Sequence, residues 1–562
     1  MPRSARPLRS LVPLLPVLAA GVALRLVHLG TFSLWWDEIV HVWTAQGGSF
    51  GDVVREVKQG IPPGAGNAGA VPLDYVLLHA YLRLIPPPAP ERLEVYYRLP
   101  AFLYSCLALP LLYAFGRRFL DRQVGLLATL LLALSIPHVL YAAEARFYSL
   151  FVLTTLVNLY AFASLATRRD RLAAWVVYGA VNVLFFFSGL FSLFVLAVQY
   201  AMLVVLVLAP LVRRRAAVPH QRTPHPALGS VRREIVALLA SGVVLAACVA
   251  AYFAGTSLAH KYGRPARIPA ALSLTRDTYL TFSSDSRLLF GCLLLLPLPL
   301  LYAWRRGRAL FAVVLSLEIT LLAIPLIIEM ARWKQYYFHP RHALFLLPAV
   351  EILTAIALLS VVRALDPARR LGVEERRRDA WHAAIACLLV VATQLPTVRA
   401  YVAQPERFFA RSKKTYDLRA ITLAVRAAVA RYGPRDKYLL VAQRNVMADT
   451  ALAQYLRWYG LEDRVVLRGT RDPAQTLRKA VALCATGCLG QRGPIVDQAL
   501  DLVAPFGLPP DFQRLLGLLE PIGHWPGVVR RLGIVTYSPL PAPGPGWVAH
   551  ALRGAQLIEL GD

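Results

Sequence analysis

Apolar runs of about twenty residues recur along the first 400 positions, separated by short arginine clusters. A helix needs about 20 apolar residues to cross a bilayer. On that measure the pattern predicts spans at roughly 10–29, 98–116, 124–141, 148–166, 172–187, 190–212, 234–254, 288–304, 309–329, 342–362 and 381–398. The stretch 172–212 carries no charge and holds two spans, with Ser188-Gly189 as the turn between them. The first run follows Arg3, Arg6 and Arg9 as a signal peptide would. It outruns the roughly 7–15 residue apolar core of a cleavable signal, so it reads as an uncleaved first helix.

The arginine clusters give these spans a direction. Arg117/Arg118/Arg122, Arg168/Arg169/Arg171, Arg213 to Arg215 with Arg232/Arg233, Arg305/Arg306/Arg308 and Arg376 to Arg378 fall on one side with the N-terminus. Basic loops mark the cytoplasmic side. The opposite side then receives loop 30–97, the Glu144-Ala145-Arg146 connection, loops 255–286 and 330–341, and the C-terminus. The apolar run Leu73 to Ile85 makes only about 20 Å of helix against a core of about 30 Å. It also carries Asp74, His79 and Arg83. Treating it as a span would put every later arginine cluster outside, so it is expected to lie in the interface. Residues 61–69 and Pro86-Pro87-Pro88 bound it as breakers.

After residue 398 the pattern changes. Charge is interspersed and no further span appears. The periodicity predicts helices at about 417–432, 447–460 and 473–484, with strands at Lys437 to Ala442 and Arg464 to Leu467. The expected fold is therefore an all-α polytopic membrane domain, residues 1–398, followed by a small α/β extracytoplasmic domain, residues 399–562. Cys484 and Cys488 read equally well as a disulfide, in an oxidising compartment, or as two free thiols.

Composition sharpens this picture. The chain has 562 residues, is 57% hydrophobic and has a mean hydropathy of +0.50, which excludes an ordinary soluble protein. The net charge of +28 arises from clusters between apolar runs, the pattern of membrane topology. Membrane lipids, anionic headgroups and phosphorylated lipids are the expected partners, and nucleic acid is not. Cys106, Cys248, Cys292 and Cys387 lie in apolar runs as small core residues, and no zinc-type spacing occurs among the six cysteines.

Candidate chemistry gathers on the outer side. Leu34-Trp35-Trp36-Asp37-Glu38 follows the first span, and a helix there would put His41 one turn from Asp37. Glu144, Arg146 and Tyr148 join two spans. Lys261 lies in loop 255–286, and Tyr337, His339 and Arg341 precede a later span. Singly, each is an interfacial anchor, a helix cap or a snorkelling base. Together they offer a carboxylate as general base and arginine forks for phosphate at a lipid surface. That set suits attack of a hydroxyl on a sugar carbon with a lipid-linked phosphate leaving. The alternatives are a lipid-linked-sugar transporter or flippase, for which Glu318 and Glu351 are the intramembrane candidates, and a non-catalytic envelope scaffold. Two carboxylates offer ligands for a divalent cation, but no dense oxygen-ligand motif is present. No metal site or other cofactor is assigned.

Several pieces resemble the GT-C membrane glycosyltransferases, specifically the protein O-mannosyltransferase and lipid A aminoarabinose transferase group. They are Trp36-Asp37-Glu38, Pro72-Leu73-Asp74-Tyr75-Val76-Leu77-Leu78-His79, Arg98-Leu99-Pro100, Gly116-Arg117-Arg118 with Val124-Gly125-Leu126-Leu127, Glu144-Ala145-Arg146-Phe147-Tyr148 and Pro340-Arg341-His342. They occur in family order over about residues 10–350. The resemblance implies an inverting transfer from a polyprenyl-phosphate-linked sugar to a protein, lipid or glycan acceptor at the outer face of the cytoplasmic membrane. It implies that Asp37 is the base, with Glu38 beside it, that Glu144 is the second acidic position, and that Arg341 lies near the donor phosphate. Arg146 and Lys261 are further phosphate candidates, and Tyr148, His41, His79, Tyr337 and His339 are substrate-binding candidates. Ala70-Val71-Pro72 stands where the family often has His-Pro-Pro, and His342 where Tyr is common.

Overall fold

The structure, a computed structural model, describes residues 12–60, 70–216, 228–254, 271–333, 339–366, 375–409, 417–431, 437–443, 446–470, 529–536, 547–552 and 555–560. The chain divides into two compact units. One comprises residues 1–29, 41–87 and 95–405, and the other residues 30–40, 88–94 and 406–562.

Every regular element described in the first unit is a helix. It contains α1 (Leu14–Leu26), α2 (Trp36–Ala45, begun in the other unit), α3 (Phe50–Gln59), α4 (Leu73–Leu84) and α5 (Leu93–Phe119). These are followed by α6 (Arg122–Leu134), α7 (Ile136–Ala142), α8 (Tyr148–Thr167), α9 (Leu172–Ser188), α10 (Ser192–Ala216) and α11 (Leu228–Phe253). Then come α12 (Ala271–Phe282), α13 (Arg287–Leu294), α14 (Pro297–Trp304), α15 (Arg308–Leu322), α16 (Ile324–Trp333), α17 (Leu347–Ala364) and α18 (Glu375–Ala403).

Seven described helical segments are long and apolar enough to cross a membrane, or nine if two bent pairs each count as one span. The bent pairs are α6 with α7, at 59°, and α13 with α14, at 54°. Two expected spans, at α1 and α9, are shorter apolar helices. The run at 73–85 is α4, twelve residues long, as its length implied.

The α6–α7 bend has a chemical cause. Pro137 has no amide hydrogen, so Ala133 C=O has no i+4 donor. The Ile136 amide points instead to Ser284 Oγ, at 3.3 Å. Arg25, fully buried on α1, satisfies the break. Its guanidinium donates to Ala133 O (3.1 Å), Leu132 O (3.1 Å), Gly21 O (2.8 Å), Ser105 Oγ (2.7 Å) and His138 Nδ1 (2.6 Å). A guanidinium has five N–H donors, and all five are used. His138 accepts through Nδ1, which fixes its neutral tautomer with the proton on Nε2.

Polar side chains also join the other helices, since lipid supplies no hydrophobic drive between them. Asn158 of α8, Asn182 of α9 and Gln199 of α10 form a buried chain with Tyr178. The α5–α6 hairpin closes on glycine: a Cβ on Gly116 would sit 2.3 Å from Gly125 Cα. Asp121 caps α6 through Val124 N–H, accepts from Tyr302, and faces Arg306 at 3.3 Å.

The second unit has α19 (Leu418–Ala430), α20 (Val446–Trp458) and a five-stranded sheet. The strands are β1 (Lys437–Gln443), β2 (Val465–Thr470), β3 (Val529–Thr536), β4 (Trp547–Leu552) and β5 (Ala555–Leu560). The order is β2-β1-β3-β5-β4, with β1 parallel to β2 and β3 and the remaining pairs antiparallel. The expected helix at 473–484 and the Cys484/Cys488 pair lie outside the described residues.

Candidate active site

In the first unit the site is built where α7 ends and α8 begins. The connection is tight: the Arg146 amide donates to Glu144 O at 2.7 Å. Glu144 is fully buried, and Arg146 Nη1 stands 3.8 Å from its Oε1. The Arg146 guanidinium lies 5.0 Å from the centre of the Tyr148 ring, a cation–π distance. Tyr148 packs on Tyr141 and Phe147, and Ser149 Oγ ties the start of α8 to Tyr141 O at 3.0 Å.

Arg341 joins this group from the other end of the chain. It lies in a 3-10 turn, Pro340–Leu346, that packs against α8. Glu144, Tyr148, Tyr141 and Arg146 all act on it electrostatically. The turn is locally fixed. His339 Nδ1 accepts from the Arg341 amide, and His342 Nδ1 accepts from the His339 amide, a reciprocal cap. His342, where a tyrosine was noted as common, faces the Phe191 ring at 6.4 Å. One carboxylate, one guanidinium and two phenols thus meet at this connection, and the turn carrying Arg341 packs on the helix that follows it. The connection and the turn lie 197 residues apart in sequence (144 against 341).

On α2 and α4 the structure places residues differently from a substrate-facing surface. His41 Nε2 is 2.7 Å from Asp74 Oδ2, both buried, and the His41 ring stacks on Tyr75 at 3.9 Å. His79 Nδ1 meets Ala45 O, the last carbonyl of α2, at 2.8 Å. These two contacts pin α2 to α4 at both ends of the interval 41–45. Asp74 is the partner that sequence reading missed. Its signal was a carboxylate in the first turn of a short, largely apolar run.

In the second unit Asp37 and Glu38 differ in exposure. Asp37 is half-buried, whereas Glu38 is fully buried, and its Oε2 accepts from the Trp35 amide at 3.2 Å. Glu38 is therefore the helix-capping carboxylate at the start of α2, reaching back one turn. Lys261 and Tyr337 lie outside the described residues. Among the described residues no group of three or more His, Cys, Asp or Glu side chains is placed to hold a metal ion.

Part of the sequence and the fold have known counterparts. Residues 91–231 match the family model described as dolichyl-phosphate-mannose-protein mannosyltransferase. The structure resembles crystal structures of ArnT from Cupriavidus metallidurans, in the apo state (TM-score 0.50, 16% identity, 97% of both chains) and bound to undecaprenyl phosphate (TM-score 0.48, 16% identity, 97% of both chains). It is also similar to the apo oligosaccharyltransferase of Archaeoglobus fulgidus, at TM-score 0.47 and 12% identity over 94% of this chain and 70% of that one. No curated protein matches. The resemblance to the GT-C superfamily seen in the sequence is thereby borne out over residues 91–231 and in the fold, and the apolar helices are those of a multi-pass membrane protein.

Proposed function

We propose that this protein is an inverting glycosyltransferase that moves a sugar from a polyprenyl-phosphate donor to an acceptor hydroxyl at the outer face of the cytoplasmic membrane. The observation that carries this reading is the convergence of Glu144, Arg146, Tyr148 and Arg341 at the end of a bent helix pair. The acceptor oxygen attacks the anomeric carbon and the C1–O bond to phosphate breaks. The electron pair stays on the phosphate, which goes from one negative charge to two. The acceptor proton passes to Asp37.

A leaving group that gains charge needs cations rather than an acid, and Arg341 and Arg146 supply fixed charge and paired donors. Buried Glu144, 3.8 Å from Arg146, sets a negative charge beside that guanidinium. Asp37 suits the base because it is the accessible carboxylate of its pair, Glu38 being committed to the helix cap. A bound divalent cation remains compatible with this scheme, and no step depends on it. The proposed topology has eleven spans, with α4, the 144–148 connection and residues 399–562 outside.

The test is transfer by purified protein. Polyprenyl-phosphate sugars are offered in detergent, and release of polyprenyl phosphate is measured with and without acceptor alcohols or hydroxyl-bearing lipids. Stereochemistry at the anomeric carbon of the product reports inversion. Movement of labelled donor across proteoliposomes without cleavage would instead establish the transporter reading.

A further inference from the structure

The second unit contains a buried polar relay that ends at Leu34, three residues before Asp37. The Leu34 amide donates to the Tyr455 hydroxyl of α20 at 2.7 Å. That hydroxyl donates onward to Glu94 Oε1 at 3.0 Å. The second Glu94 oxygen faces Arg419 of α19 at 3.4 Å. Leu34, Tyr455 and Glu94 are each 1% exposed or less.

The same helices hold the preceding backbone. Arg419 Nη1 donates to Gly30 O at 3.3 Å, and the Arg419 amide donates to Ser33 Oγ at 3.0 Å. Ser33 Oγ donates in turn to Asp417 Oδ1 at 3.1 Å, the oxygen that caps α19 through the Ala420 amide at 3.0 Å. The rings of Phe32 and Phe409 lie 4.0 Å apart. Gly30, Phe32, Ser33 and Leu34 are thus each fixed by the region after residue 405. Trp35 is fixed by Glu38. Asp37 is the first carboxylate on the segment so anchored.

We infer that the C-terminal region is part of the reaction machinery, with Tyr455, Glu94 and Arg419 as positioning residues that set Asp37 by locking backbone 30–35. This deepens the proposed transfer and rests on it. Tyr455 is decisive because its hydroxyl is the joint of the relay, accepting from one partner and donating to the other. Phenylalanine keeps the ring and removes only that joint. It strands a buried amide at Leu34 and removes the hydroxyl that donates to Glu94 Oε1. A displacement on the order of 1 Å at a catalytic group costs up to about 100-fold in rate.

The test uses the full-length protein in detergent with Tyr455→Phe, read in two ways. Hydrogen–deuterium exchange is followed in peptides covering residues 30–40 and, as an internal reference, 148–165. Steady-state transfer is resolved into kcat and donor KM. The expected result is faster exchange at 30–40 with 148–165 unchanged, and kcat reduced about tenfold with KM within about twofold. Glu94→Gln, which keeps an acceptor for Tyr455, should lose less than Glu94→Ala. Unchanged exchange at 30–40 overturns the inference, and so does faster exchange with kcat intact. A change confined to KM overturns it as well. Should Tyr455→Phe fail to fold, Ser33→Ala cuts the adjacent anchor and is read by the same criteria. If wild-type protein transfers no sugar from any donor, the functional reading fails, and exchange alone decides whether these helices hold segment 30–40.

Discussion

Two adjacent carboxylates on α2 have opposite environments, and their substitutions should separate accordingly. Asp37→Asn keeps shape but cannot accept a proton, so transfer should fall by about 100-fold or more while donor binding persists. Glu38→Gln retains an oxygen for the Trp35 amide, so a several-fold loss and a small drop in melting temperature are expected. Rate and thermal melt measured on both variants decide between them. Loss of turnover in Glu38→Gln with Asp37→Asn active would move the base to Glu38. Arg341→Lys should raise donor KM and lower kcat, because a point charge replaces a paired donor beside Glu144 and Tyr148. Full activity with unchanged donor affinity would remove Arg341 from the phosphate.

At the scale of elements, two devices shape the bundle, and each makes a prediction. Arg25→Met leaves Leu132 O, Ala133 O and His138 Nδ1 without their donors at the α6–α7 break. Each buried acceptor left without its donor costs about 1–3 kcal/mol, so a large loss of folded yield or melting temperature is expected. Arg25→Lys should restore little, since an ammonium has three donors where five are used. A variant melting like wild type would show that the break closes by another route. Gly116→Ala is expected to push α5 and α6 apart, because the new Cβ meets Gly125 backbone rather than a flexible side chain. A normal melt for that variant would mean that the hairpin relaxes freely.

For the whole molecule, the arginine distribution makes topology testable. In a cysteine-free background, Ser230→Cys should react only with reagents reaching the cytoplasmic side and Ser412→Cys only from the outside. Labelling of both from the same side would break the eleven-span arrangement. The membrane also explains why a chain this basic does not imply nucleic acid. Arg306 and Arg363 turn to Asp121 at helix ends, at 3.3 and 3.9 Å, where they close helix junctions.

The sequence alone determined the helical membrane unit, the short α4, and the alternation of helices and strands near 417–470. Span length and the period of apolar residues are local properties, imposed by bilayer thickness and backbone geometry. It also marked Glu144, Arg146 and Arg341, because charges at span ends are costly and therefore conspicuous. Only tertiary structure decided what those groups do to one another. The separation of Asp37 from Glu38 by burial, the pairing of His41 with Asp74, and the saturation of Arg25 depend on partners up to 113 residues apart in sequence. The anchoring of Leu34 by Tyr455 spans 421 residues. Such partners leave no periodic trace, since a hydrogen bond is set by distance and angle in space and a single tyrosine in an amphipathic helix reads as core.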